Sequence, residues 1–311
     1  MSHTHSGRAF DVAFTLQTNA APFGWVIKRN LLMASIPHLE VAGASIPVIG
    51  LGTWPLAGEE CARAVATAIR CGYRHIDTAA MYENETAVGD GLRASGVPRD
   101  HVWLTTKVWW QHIGDGALQR SAEASLQRLR LDRVDLLLIH WPNPTIPLKE
   151  SIRALGDAKR RGLARHVGVS NFPARLLEQA VALSDEPLVA NQCEYHPHLD
   201  QTTVLAACRK HGVAFVSYCP LGRGSVGGVL AEPAVREIAA RHGKTPAQVV
   251  LRWHVQQPGV AAVPKSSNSE RIAQNIHIFD FALDPIDMKR LSGLARPDGR
   301  VVRQAFAPQW D

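Results

Sequence analysis

The chain has 311 residues, of which 46% are hydrophobic and 20% are charged, and this is the composition of an ordinary globular protein. Its net charge of +6 is the difference between 34 basic and 28 acidic residues, which are spread along the chain without a basic block. Such a surplus is weak support for nucleic-acid binding, and a site for a small anionic ligand explains it equally well. No apolar run approaches the roughly 18 residues that a membrane span needs, so we expect neither a nucleic acid nor a membrane as a partner.

The number and spacing of the cysteines indicate a protein of a reducing compartment. Their odd count of five, with no CxxC pair, argues against a disulfide framework, and no signal-peptide core precedes them. Reduced cysteines in the cytoplasm are therefore the expected state. They are Cys61, Cys71, Cys193, Cys208 and Cys219.

Residues 1–32 differ in character from the rest of the chain. Their apolar patches are short and broken by polar residues, and strand-like patterning begins at Met33. We interpret 1–32 as a disordered leader or the product of a misassigned start site, and 33–311 as a single domain. A regulatory or targeting arm is the alternative, and mass spectrometry of the native N-terminus would distinguish the two.

After residue 38, short β-branched runs alternate with longer helical patterns, which is typical of parallel strands joined by crossover helices. Strands are predicted at 48–52, 73–77, 102–106, 135–139, 165–169, 188–192, 213–218 and 260–264. Helices are predicted near 59–70, 84–94, 115–129, 148–161, 173–183, 200–210, 232–256 and 268–276. Eight such units in about 250 residues predict an α/β fold of the (β/α)8 TIM-barrel class.

A doubly wound sheet is the competing interpretation of this alternation. It would normally carry G-x-G-x-x-G after its first strand, but GLGTWP at 50–55 has only the first two glycines. No acidic residue follows the second strand at the spacing that a ribose needs. Before the first strand, HLEVAGASIPVIG predicts a β-hairpin that turns at 42–45, and we expect this hairpin to cap the bottom of the barrel.

Titratable residues follow three adjacent predicted strands. Asp77 ends the second strand, and Tyr82 lies in the loop beyond it. Lys107 ends the third strand and His140 the fourth. Because TIM barrels carry their function at the carboxyl ends of the strands, we expect the four side chains to share one site. Each alone has an ordinary structural explanation, such as a cap or a salt bridge, and only their combination favours catalysis.

The four residue types suit proton donation to a carbonyl oxygen. A tyrosine phenol has an ordinary pKa of about 10, too high for easy proton donation at neutral pH. We expect the Lys107 ammonium to lower the pKa of Tyr82, and Asp77 to pair with that buried ammonium. His140 would orient the substrate oxygen. The set favours protonation of an oxygen that becomes alkoxide-like as hydride reaches the carbonyl carbon.

The hydride must come from a cofactor, because no side chain supplies one. The later strand ends offer groups that suit a carboxamide and a flat ring. Ser170 and Asn171 follow the fifth strand and Gln192 ends the sixth, so hydroxyl and amide groups meet there. Tyr218 ends the seventh strand and offers an aromatic face for stacking.

The segment after the eighth strand predicts a phosphate site. Ser267 and Glu270 have the spacing of a capping box, so a helix is expected to begin near 268. Lys265 and Ser266 precede it and Arg271 lies in its first turn, an arrangement that suits an anion. Taken alone, an ordinary cap beside two solvated bases is the simpler explanation.

Six segments together make the chain resemble the aldo-keto reductase superfamily: GYRHIDTAAMYENE, LTTKVWW, LLLIHWP, GVSNF, NQCEYHP and VPKSSNSERIAQN. They follow the family's order and approximate spacing, and the resemblance runs from Ile36 to Asp311. Within the family, the chain is most similar to the bacterial 2,5-diketo-D-gluconate reductase and methylglyoxal reductase branch. The resemblance implies a barrel that binds NADPH (NADP+) without a Rossmann fold and reduces a carbonyl to an alcohol.

The resemblance also implies roles for individual residues. The catalytic tetrad would be Asp77, Tyr82, Lys107 and His140, with Tyr82 as general acid. The cofactor would contact Ser170, Asn171, Gln192, Tyr218, Leu221, Lys265, Ser266, Arg271, Gln274 and Asn275. Gln274 departs from the glutamate most common at its position, which leaves adenine binding in place but weakens the expected preference for NADPH over NADH.

Aromatic residues are implied around the substrate. Trp54, Trp109 and Trp141 match pocket positions of the family, and Trp110 and Trp310 are weaker candidates. The C-terminal tail is short, about 16 residues from Arg296 to Asp311, whereas family members that act on steroids tend to carry longer C-terminal loops. We therefore expect a small, open site for short aldehydes, 2-oxoaldehydes or keto-sugars.

Two other interpretations remain. One is an NADPH-binding redox-sensing or regulatory barrel with little turnover. The other is a metal-dependent hydrolase using His196 and His198, but this His-x-His lies in the family's own NQxExHP context, and we predict no metal. We expect a monomer, because no extra interface segment is evident.

Overall fold

The computed structural model describes residues 36–224 and 228–311. These residues form a barrel of eight parallel strands surrounded by helices and preceded by a two-stranded hairpin. The predicted TIM-barrel class is confirmed. The proposed leader, 1–32, lies outside the described residues.

The eight barrel strands follow one another around the barrel in the order of the sequence, and every neighbouring pair is parallel. In chain order, the strands are β1 (His38–Val41) and β2 (Ala44–Pro47) of the hairpin, then β3 (Leu51–Gly52), β4 (His75–Asp77), β5 (Trp103–Val108), β6 (Val134–Ile139), β7 (Ala164–Ser170), β8 (Leu188–Glu194), β9 (Ala214–Tyr218) and β10 (Val260–Ala262). The six residues of β6, VDLLLI, are all buried, because a barrel strand is covered both by the lumen and by helices.

Helices connect the strands on the outside of the barrel. They are α1 (Gly58–Arg70), α2 (Glu85–Ser95), α3 (Ala117–Leu129), α4 (Leu148–Arg160), α5 (Ala174–Leu183), α6 (Thr202–Lys210), α7 (Pro233–His242), α8 (Pro246–Gln256), α9 (Ser269–Ile276) and α10 (Pro285–Ser292). In α1 the buried residues Cys61, Ala64, Val65, Ala68 and Ile69 recur at the spacing of one helix face, while Glu59 and Glu60 occupy the first turn. None of the helices in the described ranges is long and apolar enough to cross a bilayer.

The barrel closes between its first and last strands. Ile49 bridges Ala262, and the amide of Gly52 donates to the carbonyl of Pro264 at 2.9 Å. A Cβ on Gly52 would lie 2.7 Å from the carbonyl oxygen of Val263, so closure requires a residue without a side chain there. The second glycine of GLGTWP thus serves barrel closure.

The hairpin packs beneath the barrel as predicted. Its turn is Ala42–Gly43, both with positive φ (44° and 81°), which is the geometry of a two-residue hairpin loop. The pairing already resumes at Ala44, so the turn is two residues shorter than the predicted 42–45. The carbonyl of Pro47 lies 3.2 Å from Nδ1 of His75, the first residue of β4, which fixes the hairpin at the amino ends of the strands.

Two helix predictions need correction. The pattern at 232–256 is two helices, because Gly243 ends α7 with φ 62° and Thr245 begins a capping box with Gln248 that starts α8. Helix α10 was not predicted at all. It begins at Pro285, and the carboxylate of its N-cap Asp284 accepts from the amide of Asp287 at 2.7 Å.

Candidate active site

Lys107 lies at the centre of the site, in β5, with a fully buried side chain. Its Nζ donates to Oδ1 of Asp77 at 2.6 Å, to the carbonyl of Thr78 at 2.8 Å and to the phenol oxygen of Tyr82 at 3.3 Å. The three protons of the ammonium therefore have three acceptors, which is what a buried charge requires. The predicted pairing of Lys107 with Asp77 is confirmed.

Backbone geometry brings Asp77 and Tyr82 to this ammonium. Asp77 ends β4, which pairs with β5 beside it, and its Oδ2 accepts from Nε2 of Gln192 at 2.7 Å across the barrel. A 3₁₀ turn over Ala80–Tyr82 follows, and Glu83 ends it in the left-handed region with φ 55°. This tight turn returns the half-buried Tyr82 to the end of its own strand.

His140 directly follows β6 and completes the group. Its ring meets the Tyr82 ring edge-on, with centroids 5.6 Å apart, and the Trp109 ring at 5.2 Å. Within the described part of the chain, Nδ1 is sealed off from solvent and has no hydrogen-bond partner. Nε2 has no partner among the described residues but retains solvent contact, so it opens to the pocket. The structure thus brings all four predicted residues together.

The electrostatics of the site differ from the prediction at Tyr82. Burial, aided by the Asp77 carboxylate and Cys219, holds the pKa of Tyr82 well above its ordinary value, so the prediction that Lys107 lowers it is wrong in its net direction. The physical reason is burial, which disfavours the charged phenolate, and the nearby Asp77 carboxylate adds to the effect. Burial and Lys107 hold the pKa of His140 well below its ordinary value. At neutral pH the phenol is therefore protonated and the imidazole neutral.

Four of the predicted cofactor residues form a hydrogen-bonded chain beside this group. Ser170 Oγ donates to the carbonyl of Gln192 at 2.7 Å. Asn171, with φ 63°, donates through Nδ2 to the carbonyl of His140 at 2.9 Å, and its Oδ1 accepts from the Tyr218 hydroxyl at 2.7 Å. The chain orients the Asn171 amide, whereas the Gln192 amide is held by its bond to Asp77, which leaves its Oε1 without a partner among the described residues.

The predicted phosphate site lies at the start of α9. The side chains of Lys265 and Arg271 are exposed and form no hydrogen bond or ion pair with residues 36–224 or 228–311. The cap differs from the prediction, because Asn268 Oδ1 accepts from the amide of Arg271 at 2.9 Å, in place of Ser267. Glu270 is instead bonded by Nε2 of Gln274 at 3.2 Å, so the predicted capping box does not form.

The remaining predicted cofactor residues flank that helix and the loop after β9. Ser266 is buried, and its Oγ accepts from the amide of Asn268 at 3.1 Å. Asn275 is buried and Gln274 half-buried on α9. Leu221 is half-buried and packs on the core shortly before residues 225–227, which are not described.

Aromatic rings wall the pocket above Tyr82. Trp54 is 45% exposed, and its ring centroid lies 5.1 Å from that of Tyr82. Phe306, on the C-terminal tail, lies with its centroid 5.5 Å from Trp109 and 5.7 Å from Trp141, and it stacks on Trp110 at 4.5 Å. Sequence reasoning missed Phe306, because the tail has no periodicity and the contact joins residues about 200 positions apart. Of the weaker candidates, Trp110 contacts Phe306 directly and Trp310 meets Trp141 at 6.3 Å.

The histidines of the His-x-His motif turn towards carboxylates. Nε2 of His196 lies 3.0 Å from Glu194, and Nε2 of His198 lies 2.6 Å from Glu232. Over the described ranges, no group of three or more His, Cys, Asp or Glu side chains is placed to hold a metal ion.

Comparison with known proteins agrees with this geometry. The sequence profile described as "Aldo/keto reductase family" matches residues 48–296, which is most of the chain. The chain belongs to the aldo/keto reductase family. It is therefore an oxidoreductase by family, as the motifs predicted.

Several relatives of this aldo/keto reductase have been named or solved. It is 40% identical over 270 residues to methylglyoxal reductase DkgB of Escherichia coli O157:H7, an alignment that covers 86% of this chain and 100% of the relative. A solved structure provisionally assigned as 2,5-diketo-D-gluconic acid reductase B superposes with a TM-score of 0.85 at 45% identity, over 88% of this chain and 97% of the other. A Bombyx mori aldo-keto reductase in complex with NADP superposes with a TM-score of 0.81 at 34% identity, over 88% and 96%.

Proposed function

We propose that this aldo/keto reductase uses NADPH to reduce the carbonyl group of a small aldehyde, 2-oxoaldehyde or keto-sugar to an alcohol. One observation carries the proposal. The protonated phenol of Tyr82, backed by Lys107 at 3.3 Å, and the open Nε2 of His140 face the same aromatic pocket. We further propose that 33–311 is a single domain that acts as a monomer in the cytoplasm.

The residues present fit a phosphorylated dinucleotide. Lys265 and Arg271 carry two cationic groups that have no partner within residues 36–224 and 228–311, which suits a phosphate ester. The free Oε1 of Gln192 can accept from a carboxamide N–H, and the half-buried ring of Tyr218 is held by its bond to Asn171. Methylglyoxal reductase and an NADP-bound structure among the relatives support this choice. When bound, the nicotinamide supplies the hydride that no side chain can provide.

Tyr82 would donate the proton. Its raised pKa does not prevent this, because the acceptor becomes an alkoxide-like oxygen that is far more basic than a phenolate. Lys107 donates to the phenol oxygen and would stabilise the charge that remains there after transfer. Asp77 and Gln192 hold that ammonium in place.

His140 would position the carbonyl. Its low pKa keeps the ring neutral, so one nitrogen carries a proton and the other does not. With Nδ1 enclosed and unpartnered, the tautomer protonated on Nε2 places its N–H towards the pocket. A substrate oxygen that accepts from Nε2 would lie next to the Tyr82 hydroxyl, because the two rings are in edge contact.

The experiment is Tyr82→Phe, which removes only the hydroxyl. We expect the rate of aldehyde reduction to fall by about 10²–10⁴-fold, the usual contribution of a general acid, while NADPH affinity measured by fluorescence stays nearly unchanged. Tyr73→Phe is the matched control, because the Tyr73 hydroxyl is buried and donates to the carbonyl of Ile272 at 3.1 Å, away from this group.

The assay is the loss of NADPH absorbance with methylglyoxal, 4-nitrobenzaldehyde, glyceraldehyde and 2,5-diketo-D-gluconate. An unimpaired rate in Tyr82→Phe would remove Tyr82 as the acid. Equal turnover of methylglyoxal and a bulky ketosteroid would contradict the small-substrate proposal. If wild-type protein binds NADPH but turns over none of the panel, the redox-sensing barrel becomes the better interpretation.

A further inference from the structure

The carboxylate of Glu194 is a buried charge with no part in the proposed proton transfer. It is the last residue of β8 and is fully buried. Its Oε1 accepts from the amide of Val301 at 2.6 Å and its Oε2 from the amide of Val302 at 2.9 Å. Nε2 of His196 lies 3.0 Å from the same Oε1. The carboxylate is therefore satisfied largely by backbone of the C-terminal tail, residues 296–311.

Contacts on both sides of this anchor fix the tail at its two ends. At the near end, the amide of Arg296 donates to the carbonyl of His198 at 3.1 Å. Gly299 lies so close to that carbonyl oxygen that an added Cβ would be 1.8 Å from it. At the far end, the amide of Ala174 donates to Oδ2 of Asp311 at 2.6 Å.

Arg300 ties the two ends to each other. Its guanidinium carbon lies 3.6 Å from the centre of the Trp310 ring, which is cation–π distance, and its Nη1 lies 3.9 Å from Oε2 of Glu194. Between these contacts, residues 301–311 contain no helix or strand. The tail therefore owes its path to side-chain contacts, and Glu194 holds the two amides at its start.

The path of the tail determines where the Phe306 ring lies. Phe306 stands midway along the tail, between the amides held by Glu194 and the Trp310 ring, and it contacts Trp109, Trp110 and Trp141. Trp109 in turn touches His140. The position of the Phe306 ring over the pocket is thus set by where the tail is anchored on β8.

We propose that Glu194 is a positioning residue for the substrate: by holding the amides of Val301 and Val302 it places Phe306 as a wall of the pocket and so sets the KM for the carbonyl substrate. The proposal rests on the proposed function, because it takes this pocket as the substrate site. The proposed role of Glu194 differs from a general structural role, because its effect on the KM passes through a single aromatic ring, that of Phe306.

A competing explanation runs through the cofactor. Glu194 lies two positions after Gln192 on the same strand and therefore on the same side of it, and Gln192 bonds Asp77 at 2.7 Å. If Glu194 acted through that bond, its loss would weaken NADPH binding or kcat in preference to KM. The two explanations therefore predict different kinetic constants.

The experiment compares Glu194→Ala, Glu194→Gln, Phe306→Ala and the double variant Glu194→Ala/Phe306→Ala with wild type. We expect Glu194→Ala to raise the KM for 4-nitrobenzaldehyde about tenfold or more, the size of effect when buried N–H groups lose their acceptor. The NADPH dissociation constant and kcat should change by less than about threefold. Glu194→Gln should give an intermediate KM. The glutamine side chain has one acceptor oxygen where the carboxylate has two, so one of the two backbone N–H groups loses its acceptor.

The double variant supplies the decisive comparison. If Glu194 acts through Phe306, the double variant has the KM of Phe306→Ala alone, whereas independent roles would multiply the two effects. Gln304→Ala, an exposed position on the same tail, is the matched control and should behave as wild type. Multiplicative effects, or a rise in the NADPH dissociation constant equal to the rise in KM, would overturn the proposal.

Hydrogen–deuterium exchange of 296–311 completes the test without needing turnover. We expect faster exchange across the tail in Glu194→Ala but not in Phe306→Ala, since the latter keeps the anchor. Unchanged protection in Glu194→Ala would overturn the proposal even if the KM rose. An inactive wild-type protein would count against the proposed function alone, while the exchange result would still show whether Glu194 orders the tail.

Discussion

Replacing Lys107 with methionine tests the charge network at the centre of the site. Methionine keeps an unbranched side chain but removes the ammonium and with it the bonds to Asp77, Thr78 and Tyr82. Asp77 then keeps one side-chain donor, Gln192, although its side chain is only 4% exposed. Breaking a buried ion pair by removing one partner destabilises proteins by about 3–5 kcal/mol, and we expect a loss of that size.

Urea unfolding followed by tryptophan fluorescence at neutral pH measures the loss. With a slope of about 2–3 kcal/mol per molar urea, the midpoint should fall by about 1–2 M. Lys210→Met is the matched control. Lys210 also donates to a carboxylate, that of Glu178 at 2.8 Å, but this pair is exposed, so its removal should leave the midpoint nearly unchanged.

A second variant separates the unpaired charge from lost packing. Lys107→Met/Asp77→Leu removes both charges, and replacing both partners of a buried pair by apolar residues is often close to neutral, so the double variant should be more stable than Lys107→Met. If Lys107→Met shifted the midpoint no more than Lys210→Met, the claim that Asp77 depends on this ammonium would be refuted.

Three further predictions concern the cofactor and pH. Arg271→Ala should raise the KM for NADPH by about tenfold or more, the effect of losing a charged hydrogen bond, and should leave the KM for NADH nearly unchanged. Equal effects on the two KM values would mean that Arg271 does not bind the 2′-phosphate. Burial lowers the pKa of His254 to about 3, so the unfolded chain binds the extra proton below about pH 6.5, and stability should fall as the pH drops from there towards 3. The loss is about 1.4 kcal/mol per pH unit, so this group should lower the free energy of unfolding of wild type by about 2 kcal/mol at pH 5 relative to pH 7, as measured by urea unfolding. A His254→Gln variant with the same pH dependence would contradict the assignment. Because the pKa of Tyr82 is raised and that of His140 is lowered, the pH profile of kcat/KM for reduction should show no ionisation of either group between about pH 6.5 and 10. An inflection near pH 8 that disappears in Tyr82→Phe would argue against the raised pKa of Tyr82.

Much of the fold and of the candidate site was predictable because both follow from local pattern. Each barrel strand is a short apolar run between turn residues, and the carboxyl end of a parallel strand points to one face whatever the details of packing. Reading the residues at the carboxyl ends of β4, β5 and β6 therefore sufficed to place Asp77, Lys107 and His140 side by side.

The misses arise where distant or competing contacts control the outcome. The break between α7 and α8 is carried by Gly243 and the Thr245 cap inside a run that keeps its helical periodicity. Phe306 reaches the pocket through an anchor on β8 that no local pattern reports. The pKa of Tyr82 is raised first by burial and then by Asp77, and a residue pattern gives the partners but not the depth at which they lie.

The closure of the barrel divides the proposed chemistry between two halves of the chain. The residues proposed to donate the proton come from β4 to β6, and the proposed cofactor residues come from β7 to β10. The halves adjoin along β6–β7 and at the bridge from Ile49 to Ala262, and the bond from Gln192 to Asp77 joins them across the lumen. A hybrid gene that takes its second half from another family member would inherit that member's cofactor preference and keep this chain's acid. Recombination could thus change the coenzyme that such barrels use without altering how they protonate their substrates.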